Sequence, residues 1–298
     1  MTRVIISVVL VFFSSPFFGQ EEVNFDDLQA IKNDTHIFYN IGGYTITTQD
    51  YSSPFTDKKL KPIFRDYKIR RKKRQPEIDT NLNIKHYRFS SSSSINKEHK
   101  SYYVCYFIEN RGRTSVVTFA GLQKPLSSFM TAFIKKFLKN DFSKEIYAAR
   151  KIDSIKFTGR YIKLGPACRW MGVRNVQCSY NGQMDWTIHG TLEDARKFNQ
   201  IREAISTHQR KLKVVSRDSI NIQFEGVTTK ALKVVYDVKG INSFLLNLQS
   251  GAKNLIVYYV AEKIRNKYVS CILSHWNNDR IQPNGLPALL GEVMKLKK

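Results

Sequence analysis

Two stretches far apart in this chain repeat one pattern, and that repetition limits the fold more than any other feature. Tyr102-Tyr103-Val104-Cys105 opens a strand, Asn110-Arg111-Gly112-Arg113 turns it, and residues 115–119 return. A proline-containing loop leads to residues 126–138, where Leu126, Met130, Phe133, Phe137 and Leu138 share one helical stripe. Tyr258-Tyr259-Val260-Ala261, a turn at Arg265-Asn266-Lys267 and a return over 268–274 repeat the theme. Residues 286–298 then put Leu286, Leu289, Leu290, Val293 and Met294 on a second stripe. Lysines close both predicted helices, where positive charge complements the negative end of the helix dipole.

The segments ahead of these correspond too. Residues 43–47 are β-rich and precede Leu60, Ile63, Phe64 and Tyr67; residues 185–189 precede Leu192, Ala195, Phe198, Ile201 and Ile205, with Thr191 as a cap. Pro62 implies that the earlier helix is shorter or begins at the proline. Asn181-Gly182 between 176–180 and 183–188 marks a hairpin. Residues 219–224 and 231–238 read as strands, 241–248 as a short helix, and 255–260 as a strand. Five consecutive serines, Ser90 to Ser94, predict a flexible loop. The expected fold class is α+β with an internal duplication of a strand–helix–antiparallel strands–helix unit. It gives two similar domains or one pseudo-twofold domain, with repeats at 21–145 and 150–298 joined near 140–153.

Residues 1–20 stand outside that plan. Met1-Thr2-Arg3 is positive, residues 4–13 are apolar, and Ser14-Ser15-Pro16 breaks the run, which is the order of a secretory signal peptide cut near Gly19 or Gln20. The apolar run falls short of the ~20 residues of a membrane-spanning helix, and no later segment is apolar enough to span. A secreted or periplasmic location is expected. Four cysteines suit that setting. A Cys168–Cys178 disulfide would close a short loop and contribute on the order of 2–3 kcal/mol through chain entropy. Cys105 and Cys271 are the alternative second pair.

Lys and Arg number 48 against 25 acids, a formal net charge of +23. Such an excess favours anionic partners. For an exported chain these are an anionic glycan, a lipid headgroup or extracellular nucleic acid, or else an envelope protein. Ten of the cations lie between Lys58 and Arg74 with one acid, Asp66. Adjacent like charges must be solvated or matched by an anion. Tyr67, Lys68, Arg70, Arg71, Lys72, Lys73 and Arg74 are therefore the candidate anion-binding residues, with Tyr67 offering stacking area.

Catalytic signatures are sparse. The six histidines show no metal-ligand spacing, no cofactor motif occurs, and Gly-x-Ser-x-Gly is missing. Cys271, His275 and Asp279 form one weak constellation, but four residues of strand separate the thiol from the imidazole by roughly 13 Å. Asp185, His189 and Glu193 form another at a strand-to-helix junction. The leading expectation is an exported noncatalytic basic binding protein for an anionic polymer or cell-envelope partner. An extracytoplasmic hydrolase using Asp185, His189, His275 and Asp279, or a subunit of an envelope or secretion assembly, is the alternative.

Overall fold

The computed structural model describes residues 24–32, 35–69, 75–97, 99–148, 152–209, 212–237 and 252–297. The expected leader at 1–20, the run Arg70 to Arg74 and the expected helix at 241–248 lie outside the described residues. The described chain is mixed α+β and dominated by strands.

Six antiparallel strands form the first sheet: β1 (Gln29–Lys32), β2 (His36–Ile41), β3 (Tyr44–Tyr51), β4 (His86–Ser94), β5 (Lys100–Asn110) and β6 (Arg113–Gly121), in the order β1-β2-β3-β6-β5-β4. The β2–β3 and β5–β6 connections are two-residue turns with both central residues at positive φ, Gly42-Gly43 and Arg111-Gly112. That backbone matches the twist of paired strands. Helix α2 (Ser127–Lys139) covers one face with Met130, Phe133, Ile134 and Phe137 against Ile46, Val117 and Phe119. Helix α1 (Asp57–Asp66) covers only part of the other, setting Leu60, Ile63 and Phe64 on Cys105, Phe107 and Val116.

The second sheet has eight strands: β9 (Cys168–Gly172), β10 (Asn175–Cys178), β11 (Gly182–His189), β12 (Lys213–Phe224), β13 (Val227–Asp237), β14 (Asn254–Ile264), β15 (Lys267–Trp276) and β16 (Met294–Leu296). Their order is β16-β12-β13-β14-β15-β11-β10-β9. Helix α3 (Leu192–Ala204) lies on one face, capped by Thr191, whose hydroxyl accepts from the Asp194 N–H at 3.1 Å. The opposite face, with Trp186, Val260, Cys271 and Leu273, packs against the hairpin of β7 (Ser154–Phe157) and β8 (Arg160–Lys163) and against α4 (Ala288–Gly291). In each sheet the strand that precedes a helix, β3 or β11, pairs with the last strand of the following meander, β6 or β15.

Several expectations are corrected. Helix α1 runs through Pro62, whose ring sits on the exposed side; packing of Leu60, Ile63 and Phe64 holds the turn while water reaches the freed carbonyl. The serines Ser90 to Ser94 are not a loop but the end of edge strand β4, paired with residues 100–104 of β5. Their hydroxyls face solvent, and Ser93 Oγ lies 2.7 Å from Ser101 Oγ. The closing helix stops at Gly291, where a Cβ would stand 2.7 Å from the Asn284 amide nitrogen. The chain then pairs as β16 with β12, so Val293 and Met294 reach the core from a loop and a strand rather than from a helix.

The Asn181-Gly182 hairpin is present with a three-residue turn, since Cys178 pairs with Gly182. Gly182 has φ +97°, and a Cβ there would collide with Leu290 of α4. Cys168 and Cys178 are joined across β9 and β10. Cys105 and Cys271 are not a pair: they are buried free thiols in different sheets.

Candidate functional site

Tyr67 and Lys68, the described members of the expected anion site, form the end of α1. The Lys68 N–H donates to the Arg65 carbonyl at 2.9 Å and the Ile69 N–H to the Phe64 carbonyl at 2.7 Å. Lys68 takes φ +56°. This is the Schellman closure, with lysine where glycine is usual and with the customary apolar contact between Ile69 and Phe64 in one cluster. The motif buries Ile69 and leaves Lys68 exposed. Along the same helix Lys58, Lys59, Lys61 and Arg65 are also exposed, so the cations share a solvent face opposite Leu60, Ile63 and Phe64.

Tyr67 points back over the sheet. Its hydroxyl donates to Gln49 Oε1 at 2.8 Å, and Tyr51 donates to the same oxygen at 2.7 Å. Burial pushes the Tyr67, Tyr51 and Tyr103 phenols up, so all three remain protonated donors at neutral pH. They border an open trough of about 540 Å³ on the part of the sheet that α1 leaves uncovered. Thr45, Thr47, Gln49 and Thr118 form its floor together with Phe38 and His36, the β2 partners of Thr47 and Gln49, and Asp66 lines the α1 end. Sequence reading found Tyr67 through its basic neighbours and missed the floor. The alternation of Thr45, Thr47, Gln49 and Tyr51 with Ile46 and Thr48 was the available signal, a polar row on one strand face.

The two weak catalytic constellations are drawn together only in part: His275 and Asp279 lie within electrostatic reach of each other, and the thiol of that group stays out of reach of chemistry. Cys271 is fully buried in the apolar core, and that burial drives its thiol well up, away from thiolate. His275 stacks on Tyr258 and bonds the Trp276 carbonyl through Nδ1 at 3.0 Å, with Asp279 accepting from the Trp276 N–H. Asp185 is bound by Arg202 and Asn175, each at 3.0 Å. Glu193 is exposed on α3. Among the described residues no cluster of three His, Cys, Asp or Glu is arranged to hold a metal ion, and no helix is long and apolar enough to cross a membrane. A further polar group, unmarked in the sequence, lies under α2. There Asp79 accepts from Tyr106 and Thr131, and its N–H donates to His86 Nε2 at 2.8 Å. That bond leaves the His86 proton on Nδ1, directed to the Ile84 carbonyl at 2.7 Å.

His189 sits where the two sheets meet. Its Nε2 lies 2.8 Å from Ser270 Oγ and its ring packs on Phe198. The β2–β3 turn of the first sheet presses against both rings at Gly43. Burial lowers its pKa from 6.5 to about 4; Asp194 opposes the shift and Arg174 adds to it. A depressed folded pKa means that the unfolded chain binds the proton first as pH falls. Stability held above pH 6.5 is therefore expected to drain away towards pH 4, by about 3 kcal/mol in total at 1.36 kcal/mol per unit. Urea midpoints measured between pH 7 and 4 test this. A His189→Gln variant flattens that part of the curve, and an unchanged slope would refute the assignment.

No protein-family model and no curated protein matches the sequence. Two solved structures align over most of the chain. One is DynU16, a putative protein in the dynemicin biosynthetic locus, at 8% identity with 85% of this chain and 76% of that one covered and a TM-score of 0.19. The other is the di-domain ARO/CYC StfQ from the steffimycin biosynthetic pathway, at 11% identity, 83% and 88% coverage and a TM-score of 0.17. At those scores neither says anything about this chain's function.

Proposed function

We propose that this protein is an exported, noncatalytic binding protein that holds an anionic polymer or cell-envelope partner on a basic surface. The observation that carries the reading is the solvent face of α1, where Lys58, Lys59, Lys61, Arg65 and Lys68 are all exposed. In sequence the same run continues into Arg70, Arg71, Lys72, Lys73 and Arg74. A cluster of that density binds polyanions by displacing their counterions, so affinity falls steeply with salt. The Cys168–Cys178 disulfide is compatible with an extracellular setting. We also read the two units as a duplication near 21–145 and 150–298. Support comes from the shared strand order around β3-β6 and β11-β15, with a helix after β3 and after β11.

Retention of the mature protein on immobilised heparin tests the reading. Elution should require high salt, and changing Arg70, Arg71, Lys72, Lys73 and Arg74 to glutamine should weaken binding about tenfold or more and flatten its salt dependence. Equal retention of the variant would remove the site, and passage of the unmodified protein at low salt would remove the function.

A further inference from the structure

We infer that the trough beside α1 is a subsite for the sugar rings of an acidic polysaccharide, an inference that rests on the polyanion reading above. The chemistry of the lining selects the class. Thr45, Thr47, Thr118, Tyr67 and Tyr103 bring hydroxyls to the lining and Gln49 an amide, of which the Tyr67 hydroxyl and the Gln49 carbonyl oxygen already bond to each other. The apolar part is mainly aromatic, with Phe38 stacked on His36 at a centroid separation of 6.0 Å. Flat rings beside hydroxyl and amide groups suit a saturated ring that carries C–H groups on its faces and hydroxyls on its edge. A lipid chain would leave the Thr45 and Thr47 hydroxyls unmatched. A phosphate-rich ligand would find Asp66 and no lysine or arginine in the lining itself.

Geometry favours a chain over a single small molecule. Phe38, Thr47 and Thr118 are consecutive partners across β2, β3 and β6, so they form one row across the sheet. Along β3, Thr45, Thr47, Gln49 and Tyr51 repeat every ~7 Å and extend ~20 Å in all. The volume of about 540 Å³ lies within the ~300–1,000 Å³ range of ordinary ligand sites. The trough is open to solvent, which leaves room for a polymer to continue beyond it. At the α1 end the trough is lined by Asp66 and Tyr67, and the exposed Lys68 follows them in the chain. The cations lie outside the lining, on the solvent face of α1, so the part of the polymer beyond the trough meets them with its carboxylate or sulfate groups, while Asp66 accepts from sugar hydroxyls. The trough supplies selection among polyanions and the helix supplies the charge.

The test compares a fluorescent heparin hexasaccharide with a DNA oligonucleotide of similar charge, using Thr47→Val and Thr47→Leu. Valine keeps the shape and strand preference of threonine and removes only the hydroxyl; leucine also fills the floor. Binding of the hexasaccharide should weaken about fivefold with valine and about tenfold with leucine, its salt slope unchanged, while DNA binding stays as in the parent. Circular dichroism shows that each variant is folded. If neither variant alters hexasaccharide binding, or both ligands weaken together, the trough is not the sugar subsite although the basic surface stands. If the parent binds neither ligand, the polyanion reading falls and this inference with it.

Discussion

Glu225→Ala is expected to lower the stability of the part built on the second sheet by about 3–4 kcal/mol. The Glu225 side chain is 3% exposed and meets two guanidinium groups. Arg160 grips it with Nη2 at 2.6 Å and Nε at 2.9 Å, and Arg265 Nη1 approaches at 2.7 Å. Both arginines do more. Arg160 donates to the Glu292 carbonyl at 2.7 Å, and Arg265 donates to the Thr158 carbonyl at 2.6 Å. Three two-residue turns, Thr158-Gly159, Glu225-Gly226 and Arg265-Asn266, thus converge at one end of the second sheet, each with both residues at positive φ. The hydrogen bond to Glu225 raises the Arg160 pKa, as a well-made ion pair should.

Removing the carboxylate leaves two cations facing each other in a half-buried site. Because each arginine is about one-third exposed, water recovers some of the loss, which places the effect at the lower end of the usual range for a broken buried pair. The three tryptophans of the chain, Trp170, Trp186 and Trp276, all lie in the second sheet, so their fluorescence in urea reports on this unit selectively. A triple change of Glu225, Arg160 and Arg265 to methionine should recover only part of the loss, because the bonds to the Glu292 and Thr158 carbonyls go with the arginines. A midpoint for Glu225→Ala within experimental error of the parent would show that the turns are held by the backbone alone.

How much of this was legible in the sequence follows from what each signal measures. The hairpins were the most readable part, because Arg111-Gly112 and Arg265-Asn266 carry residues tolerant of positive φ between β-rich runs. The cap at Thr191 and the stripe of α2 were readable for the same reason, that local chemistry and final environment agree. Apolar spacing misled at the carboxyl end. Leu286, Leu289, Leu290, Val293 and Met294 are all buried as a helical stripe demands, yet β12 had an open edge and Gly291 weakened the helix, so the chain left α4 to pair as β16. Composition misled at Ser90 to Ser94, since an edge strand with its side chains in water needs no apolar residues. In the candidate site only the Tyr67 end was visible. The trough is assembled from β2, β3, β5 and β6, and which strands adjoin is a long-range property that no local pattern encodes.

Arg174→Ala is expected to cost about 2–4 kcal/mol and to loosen the seam between the two sheets. Arg174 lies in the β9–β10 turn at φ +56° and is 4% exposed. Its Nη2 donates to the Asp27 carbonyl of the first unit, and its Nε donates to Gln29 Oε1 at 3.2 Å, while Nη1 has no hydrogen-bond partner. Burial lowers its pKa to about 10, so the charge itself is a burden there, and the side chain is retained for its two bonds across the seam and for the space it fills. Alanine forfeits both bonds and opens a void, and those losses outweigh relief from the buried charge. The strain of positive φ is the same for both residues, so it cancels from the comparison. The nearby Lys267–Asp27 pair at 3.0 Å is 41% and 31% exposed, which limits Lys267→Ala to less than about 1 kcal/mol. Cys105 and Cys271 provide the readout, one fully buried free thiol in each sheet. Thiol labelling through a urea series should find the two becoming reactive at more widely separated concentrations in Arg174→Ala than in the parent, and no such spread in Lys267→Ala. Equal behaviour of the two variants would mean that the seam is held by apolar contact around Gly43, His189 and Phe198 and not by the buried guanidinium.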